Sequence, residues 1–243
     1  MAAVPSSGMV LAAGLGTRMR PLTDTRPKPL IEVAGRTLLD RALDNFEAAG
    51  VKTIVVNAHY FADQIEAHMS ARAASGGAAR YVISDERAEL LETGGGVAKA
   101  LPLLDGDTLL VANADNLWLD GSENTIARLA AEWDPERMDA LLLVIDRAEA
   151  AGYDGAGDFH REPSGRLHRR GHDLSANYVF SGVQLLSRRL FADLPEGAFS
   201  LNLLYNRALA AERLYGLVHT GLWHHVGTPE AVAEAAARLT KQG

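Results

Sequence analysis

The sequence predicts an α/β fold in which a mainly parallel, twisted sheet is covered by helices on both faces. Three observations predict it. Short apolar runs without polar alternation recur through residues 1–146, as expected of parallel strands buried on both faces. Amphipathic stretches separate these runs, the pattern of right-handed strand–helix–strand crossovers. Glycines follow the first run at once, where an open parallel sheet gathers its ligands, outside the carboxyl ends of its strands.

The first strand is read over 9–13, Met9-Val10-Leu11-Ala12-Ala13, and runs into Gly14 and Gly16. Thr37 can cap a helix whose Leu38, Leu39, Ala42, Leu43, Phe46 and Ala49 form one apolar stripe, with Gly50 as its stop. A second strand follows over 53–57. Ile65, His68 and Met69 mark another helix, broken by Gly76-Gly77. The third strand is read over 80–84, the fourth over 108–113 and the fifth over 141–145, with a glycine run and a short helix over 96–103 between the third and fourth. After residue 146, Gly152, Gly155, Gly157 and Gly165 punctuate short polar segments, which read as hairpins or loops added to the sheet. Apolar strands return over 177–187 and 214–226, and Thr228-Pro229-Glu230 opens a final helix with a cap, a first-turn proline and an acidic residue. A length of 243 residues fits one domain spanning 1–243, divided at the change of pattern into halves 1–146 and 147–243.

Composition narrows the function. With 24 Lys+Arg against 31 Asp+Glu the net charge is −7, which argues against a general nucleic-acid binder. The absence of cysteine removes a disulfide framework, a zinc-thiolate site and a thiol nucleophile, and is compatible with a reducing cytoplasm. The first eight residues lack the basic start and apolar stretch of a secretory leader, and no later run approaches a membrane span, so a soluble protein without a membrane partner is expected. There is no internal repeat, and oligomeric state is unreadable.

Against this acidic background Arg18, Arg20, Arg26 and Lys28 fall close together, opposed only by Asp24 and stiffened by Pro21, Pro27 and Pro29. Glycine has no Cβ, so backbone N–H groups of a Gly14–Gly16 turn can approach phosphate oxygens. A glycine turn leading into a cationic loop is a site for a nucleoside triphosphate. It is neither of two familiar motifs: a dinucleotide fingerprint needs glycine where Met19 stands, and Gly-Lys-Ser/Thr occurs nowhere. Glu92-Thr93-Gly94-Gly95-Gly96-Val97 reads as a second glycine loop, a backbone surface on which a base or ribose can lie. Asn113-Ala114-Asp115 closes the fourth strand on the ligand side.

Leu11 to Thr23 followed by Pro27-Lys28-Pro29-Leu30 resembles the signature of the sugar-1-phosphate nucleotidyltransferases. Leu91-Glu92-Thr93-Gly94-Gly95-Gly96 is similar to the wording of the N-acetylmuramate-1-phosphate uridylyltransferases within them, while mannose- and heptose-1-phosphate guanylyltransferases share the first motif. The resemblance implies a Rossmann-like sheet of the nucleotide-diphospho-sugar transferase type with a small sugar-pocket hairpin region. It also implies a reaction in which a sugar-1-phosphate attacks the α-phosphorus of a nucleoside triphosphate and pyrophosphate leaves, with Mg²⁺ or Mn²⁺ as cofactor. UTP and N-acetylmuramate 1-phosphate are the nearest substrate pair, with the base and sugar left open. The attacking phosphate oxygen is already anionic, so no general base is expected.

Carried over residue by residue, the resemblance puts Leu11, Ala12, Ala13, Gly14, Gly16, Thr17, Arg18, Lys28, Thr93, Gly94 and Gly95 on the nucleotide. It puts Asn113, Asp158, Ser181 and Gly182 on the sugar phosphate, Asp115 on the metal, and the catalytic burden on Arg18, Lys28 and Asp115. One departure stands out. The family's Trp-x-Asp-Val-Gly-Thr supplies a second metal carboxylate, but this chain reads Trp223-His224-His225-Val226-Gly227-Thr228, with His225 in its place. Either His225 still coordinates and favours softer ions than Mg²⁺, or the metal rests on Asp115, phosphates and water, or activity is weak or lost. His224 is expected to be a surface or packing residue. A non-catalytic nucleotide-sugar sensor is the alternative from another class.

Overall fold

In the computed structural model, which describes residues 3–241, the apolar runs become neighbours in one sheet. The elements in chain order are β1 (Ser7–Leu11), β2 (Glu32–Val33), β3 (Arg36–Thr37), α1 (Leu38–Ala48), β4 (Thr53–Ala58), α2 (Ala62–Ala74), β5 (Arg80–Asp85), α3 (Glu92–Ala100), β6 (Thr108–Asn113) and β7 (Asn116–Trp118). They continue with α4 (Thr125–Glu132), β8 (Ala140–Asp146), β9 (Phe159–Arg161), β10 (Leu167–Arg169), β11 (Tyr178–Ser187), α5 (Asn202–Ala210), β12 (Leu214–Val218), β13 (Trp223–His225) and α6 (Pro229–Thr240).

Strand pairing gives the order β12-β8-β11-β6-β1-β4-β5, in which β11 alone runs against the other six. The sheet is therefore mainly parallel, and its helices cover both faces. Val10, Ile54 and Val56 face Leu39, Leu43 and Phe46 of α1, while Met9, Val55 and Val111 face Val97 of α3 and Leu204 of α5. The β9–β10 hairpin sits beside Tyr178, at the start of β11. The β7–β13 ribbon, β2, β3 and α6 enclose a third cluster built on Met19, Leu38, Leu117 and Val226. Among the described residues, no helix is long and apolar enough to cross a membrane.

Capping explains several helix starts. The Thr37 hydroxyl accepts Asp40 N–H at 2.9 Å, and that of Thr228 accepts Ala231 N–H at 3.4 Å. Three local expectations need correction, and two helices go unread in the sequence. The first strand stops at Leu11, because Ala12 N–H is taken by the Asn57 side chain at 2.6 Å instead of a strand neighbour. The apolar run over 214–226 splits into β12, within the main sheet, and β13, in the separate ribbon. The second glycine loop is not a loop: Glu92 to Gly96 form the first turns of α3. The helices α4 and α5 are short and bury only three apolar side chains each, so periodicity does not reveal them.

Candidate active site

The carboxyl ends of β1, β4 and β6 open into a cavity of about 430 Å³, walled by Leu11, Ala12, Ala13, Gly14, Gly16, Thr17, Arg18, Lys28 and Asn57 together with Thr93, Asn113 and Asp115. A Cβ on Gly14 would meet no atom within 4 Å, so the backbone at this point is bare. Gly16 does different work. Its φ of +62° lies in the left-handed region, and a Cβ there would stand 3.0 Å from both Lys28 Cβ and Thr23 Cγ2. Its carbonyl accepts Met19 N–H and the Thr23 hydroxyl, both at 2.9 Å, which folds the glycine turn back onto the cationic loop. The start of the turn is held from below. Asn57 Oδ1 accepts Ala12 N–H at 2.6 Å, and Asn57 Nδ2 donates to Glu86 Oε1 at 2.8 Å. Burial pushes the Glu86 carboxyl up from its ordinary range, as expected for an acid without a cationic partner in contact. Asn57 and Glu86 are absent from the sequence-level site, although Asn57 stands near the carboxyl end of β4, where the ligand-side rule points.

At the inner end of this cavity Lys28 Nζ lies 3.0 Å from Asp115 Oδ2. Burial opposes ionisation of Asp115, but the charge and hydrogen bond of Lys28 outweigh it and hold the carboxyl below its ordinary range. Its other oxygen, Oδ1, is buried without a partner. His225 Nδ1 is 2.9 Å from Asn116 Oδ1. An amide oxygen only accepts, so Nδ1 carries the proton and Nε2 keeps its lone pair. Burial lowers the His225 pKa, with Asp115 opposing the shift, so the ring is neutral near pH 7. Among the described residues no cluster of three or more acidic, His or Cys side chains could hold a metal ion. An orphaned carboxylate oxygen and a bare imidazole nitrogen nonetheless fit a divalent ion whose other ligands are phosphate oxygens and water. His224 is buried with both ring nitrogens unpartnered, which makes it a packing residue and not a surface one.

A second cavity of about 420 Å³ joins the first through a shared wall of Arg18, Thr93, Asn113, Asp115 and Ser200. Its far side carries Tyr153, Asp158, Phe159, Arg169, Phe180, Tyr205, Trp223 and His225. Asp158 Oδ2 accepts Phe180 N–H at 2.8 Å, Tyr205 donates to Gln184 Oε1 at 2.7 Å, and Trp223 Nε1 donates to Ser181 O at 3.0 Å. Sequence reasoning finds Asp158 and His225 here and misses Tyr153, Tyr205 and Arg169, which belong to no motif read from the sequence.

Four sequence-predicted residues do not reach either wall. Gly94 and Gly95 donate their N–H groups to Phe199 O at 2.8 and 3.1 Å, and a Cβ on Gly94 would lie 2.4 Å from the Phe199 ring. Their bare backbone lets segment 197–199 pack against α3. Ser181 is fully buried, its hydroxyl accepting Val183 N–H at 3.1 Å. Gly182, with φ +93°, sits at the register shift in β11 that lets Asn113 and Asn116 pack close, since a Cβ would meet Asn116 Nδ2 at 2.5 Å. Both support the wall from behind.

A glycine-turned, cationic chamber on a parallel sheet, joined at a carboxylate to a polar-aromatic chamber, defines a nucleoside-triphosphate-dependent transferase. The chain belongs to the MobA-like NTP transferase domain family, which matches residues 8–242. It is 47% identical over 241 residues to the N-acetylmuramate alpha-1-phosphate uridylyltransferase of Caulobacter vibrioides, covering 99% of this chain and all of that one. Identity to the protein of the same name from Neisseria meningitidis serogroup B is 37% over 230 residues, covering 94% of this chain and 96% of the relative. UDP-glucose pyrophosphorylase, solved in complex with UDP-glucose, superposes with a TM-score of 0.80 at 15% identity, with both chains fully covered, which shows the shared fold.

Proposed function

We propose that the chain transfers a uridylyl group from UTP to N-acetylmuramate 1-phosphate, forming the UDP sugar and releasing pyrophosphate. The carrying observation is the shared wall, where Arg18, Asn113 and Asp115 face both cavities. A triphosphate in the first and a sugar phosphate in the second meet there. The 47% identity over nearly the whole chain to a uridylyltransferase of that name supports this substrate pair among those the fold can serve.

In this reading residues 1–146 form the nucleotide half and 147–243 most of the sugar half of one domain. Backbone N–H groups of the Gly14–Gly16 turn, with Thr17 and Arg18, hold the β- and γ-phosphates. Asn113 and Asp158 orient the sugar phosphate so that its oxygen lies in line with the α-phosphorus. That oxygen forms the new P–O bond as the α–β bridging bond breaks, and the electron pair leaves with pyrophosphate. Lys28 and Arg18 balance the charge that accumulates on the leaving group. Asp115 Oδ1 and His225 Nε2 would hold a divalent ion, Mg²⁺ or Mn²⁺. When bound, such an ion stabilises the phosphoryl oxygens at the reacting phosphorus. Asn116 fixes the His225 tautomer that this ligation requires.

The test is pyrophosphate release from a matrix of nucleoside triphosphates and sugar-1-phosphates, with Mg²⁺ or Mn²⁺. UTP with N-acetylmuramate 1-phosphate is expected to be the best pair by about tenfold or more. Triphosphate binding without turnover of any pair would favour a sensor instead. His225→Asp restores an all-oxygen pair and should move the metal optimum toward Mg²⁺. An unchanged metal profile would remove His225 from the metal site.

A further inference from the structure

Arg169 ends β10 in the wall of the sugar cavity and does not face the nucleotide cavity. Its Nη2 donates to the amide oxygens of Asn202 at 2.8 Å and Asn206 at 3.1 Å, both on α5. The Phe159 ring lies 4.9 Å from its guanidinium carbon and braces the group. Among the described residues it makes no ion pair, and its Nε–H and two Nη1–H groups have no protein acceptor. Asp158 shares the cavity, but its Oδ2 is engaged by Phe180 N–H at 2.8 Å. The Asp158 charge reaches Arg169 through space without an ion pair, so an arginine held in contact only by neutral amides and an aromatic face keeps free donors for a ligand. Most other arginines in the fold instead neutralise carboxylates or tie down backbone carbonyls, as Arg72 and Arg188 do.

In the reading above the reacting phosphate lies at the shared wall with Arg18, Asn113 and Asp115, and Arg169 is not part of that wall. The anion must sit elsewhere on the sugar. N-acetylmuramate differs from N-acetylglucosamine by a lactyl ether on O3 that ends in a carboxylate. We propose that Arg169 is the specificity residue that reads this carboxylate, braced by Phe159 and positioned by Asn202 and Asn206. This rests on the uridylyltransferase reading above and deepens it. The interaction is a charge-assisted hydrogen bond in a partly desolvated pocket, the kind whose loss most strongly alters discrimination.

The experiment compares initial rates of pyrophosphate release from UTP with N-acetylmuramate 1-phosphate and with N-acetylglucosamine 1-phosphate, for the wild-type chain, Arg169→Met and Arg169→Lys. Met keeps the stem that packs on Phe159, and turnover of the uncarboxylated sugar reports whether the variant is folded. Arg169→Met is expected to lower kcat/KM for the carboxylated sugar about 100-fold, with the uncarboxylated sugar and the KM for UTP changed by less than about threefold. Arg169→Lys should recover about a tenth of the lost rate, because charge is kept and geometry is not. Equal losses on both sugars would make Arg169 a packing residue and overturn the proposal, as would no loss on either. If the wild-type chain rejects the carboxylated sugar, the functional reading falls and this proposal with it; if the wild type accepts it and Arg169→Met accepts it equally, this proposal alone falls.

Discussion

The two cavities are nearly equal in volume, about 430 and 420 Å³, yet they are built in opposite ways. Much of the nucleotide wall comes from one short segment between Leu11 and Met19, whose turn is bared of a side chain at Gly14. The sugar wall is assembled from side chains on β9, β10, β11, α5 and β13, which meet only because β11 runs antiparallel between β6 and β8. Phosphate is bound by backbone and fixed charge, which demands one local sequence. A sugar with its substituents is bound by individually placed side chains, which demands a fold but no contiguous motif.

The largest effect that would break this contrast is at the shared wall. Lys28→Met should lower turnover about 10³-fold whichever sugar is offered, because a unit charge near 4 Å contributes about 4 kcal/mol at an effective dielectric of 20. The variant also strips the Asp115 carboxylate of its partner. Steady-state pyrophosphate release measures it. A loss smaller than tenfold, or one confined to a single sugar, would mean that the phosphates are gripped elsewhere and that the two cavities are not joined functionally at this point.

Legibility in the sequence follows the same division. The strand core of β1, β4, β5, β6 and β8 and the cradle from Gly14 to Lys28 were readable because each is specified locally, by an apolar run, a glycine at a turn or a charge cluster against an acidic background. Arg169 was not, because what makes it unusual is the amide pair at Asn202 and Asn206, contributed from a different element more than thirty residues away. The triple glycine was legible as a place of close approach, but not as to what approaches. A ligand and a neighbouring chain segment both require a bare backbone, and only the fold reveals that Phe199 occupies the space at Gly94. The Glu86–Asn57–Ala12 chain was invisible for a related reason: each polar residue looks ordinary until burial leaves it no other partner.

A pair of glycine substitutions sharpens the comparison next. Gly94→Ala would set its Cβ 2.4 Å from the Phe199 ring and 2.8 Å from Phe199 O, so it should destabilise the fold by about 1–3 kcal/mol and lower the Tm by several degrees. Gly14→Ala meets nothing within 4 Å and should leave the Tm within about a degree while raising the KM for UTP severalfold. Thermal unfolding followed by circular dichroism, alongside UTP kinetics, separates the two. If Gly94→Ala instead raised the KM for UTP without changing the Tm, the base would rest on α3 after all.

The smallest expected effect is on the sugar side. Asp158→Asn keeps an amide oxygen to accept Phe180 N–H, now at 2.8 Å, so the start of β11 and the cavity shape should survive. What is lost is the charge on the oxygen that faces the sugar, and a charge-assisted hydrogen bond exceeds a neutral one by about 1 kcal/mol. The KM for the sugar phosphate should therefore rise about five- to tenfold, with kcat and the KM for UTP nearly unchanged, because the contact is made equally in the ground and transition states. A fall in kcat with unchanged KM would show that Asp158 acts on the reacting phosphate instead. The sugar cavity would then share in the chemistry that the shared wall otherwise accounts for.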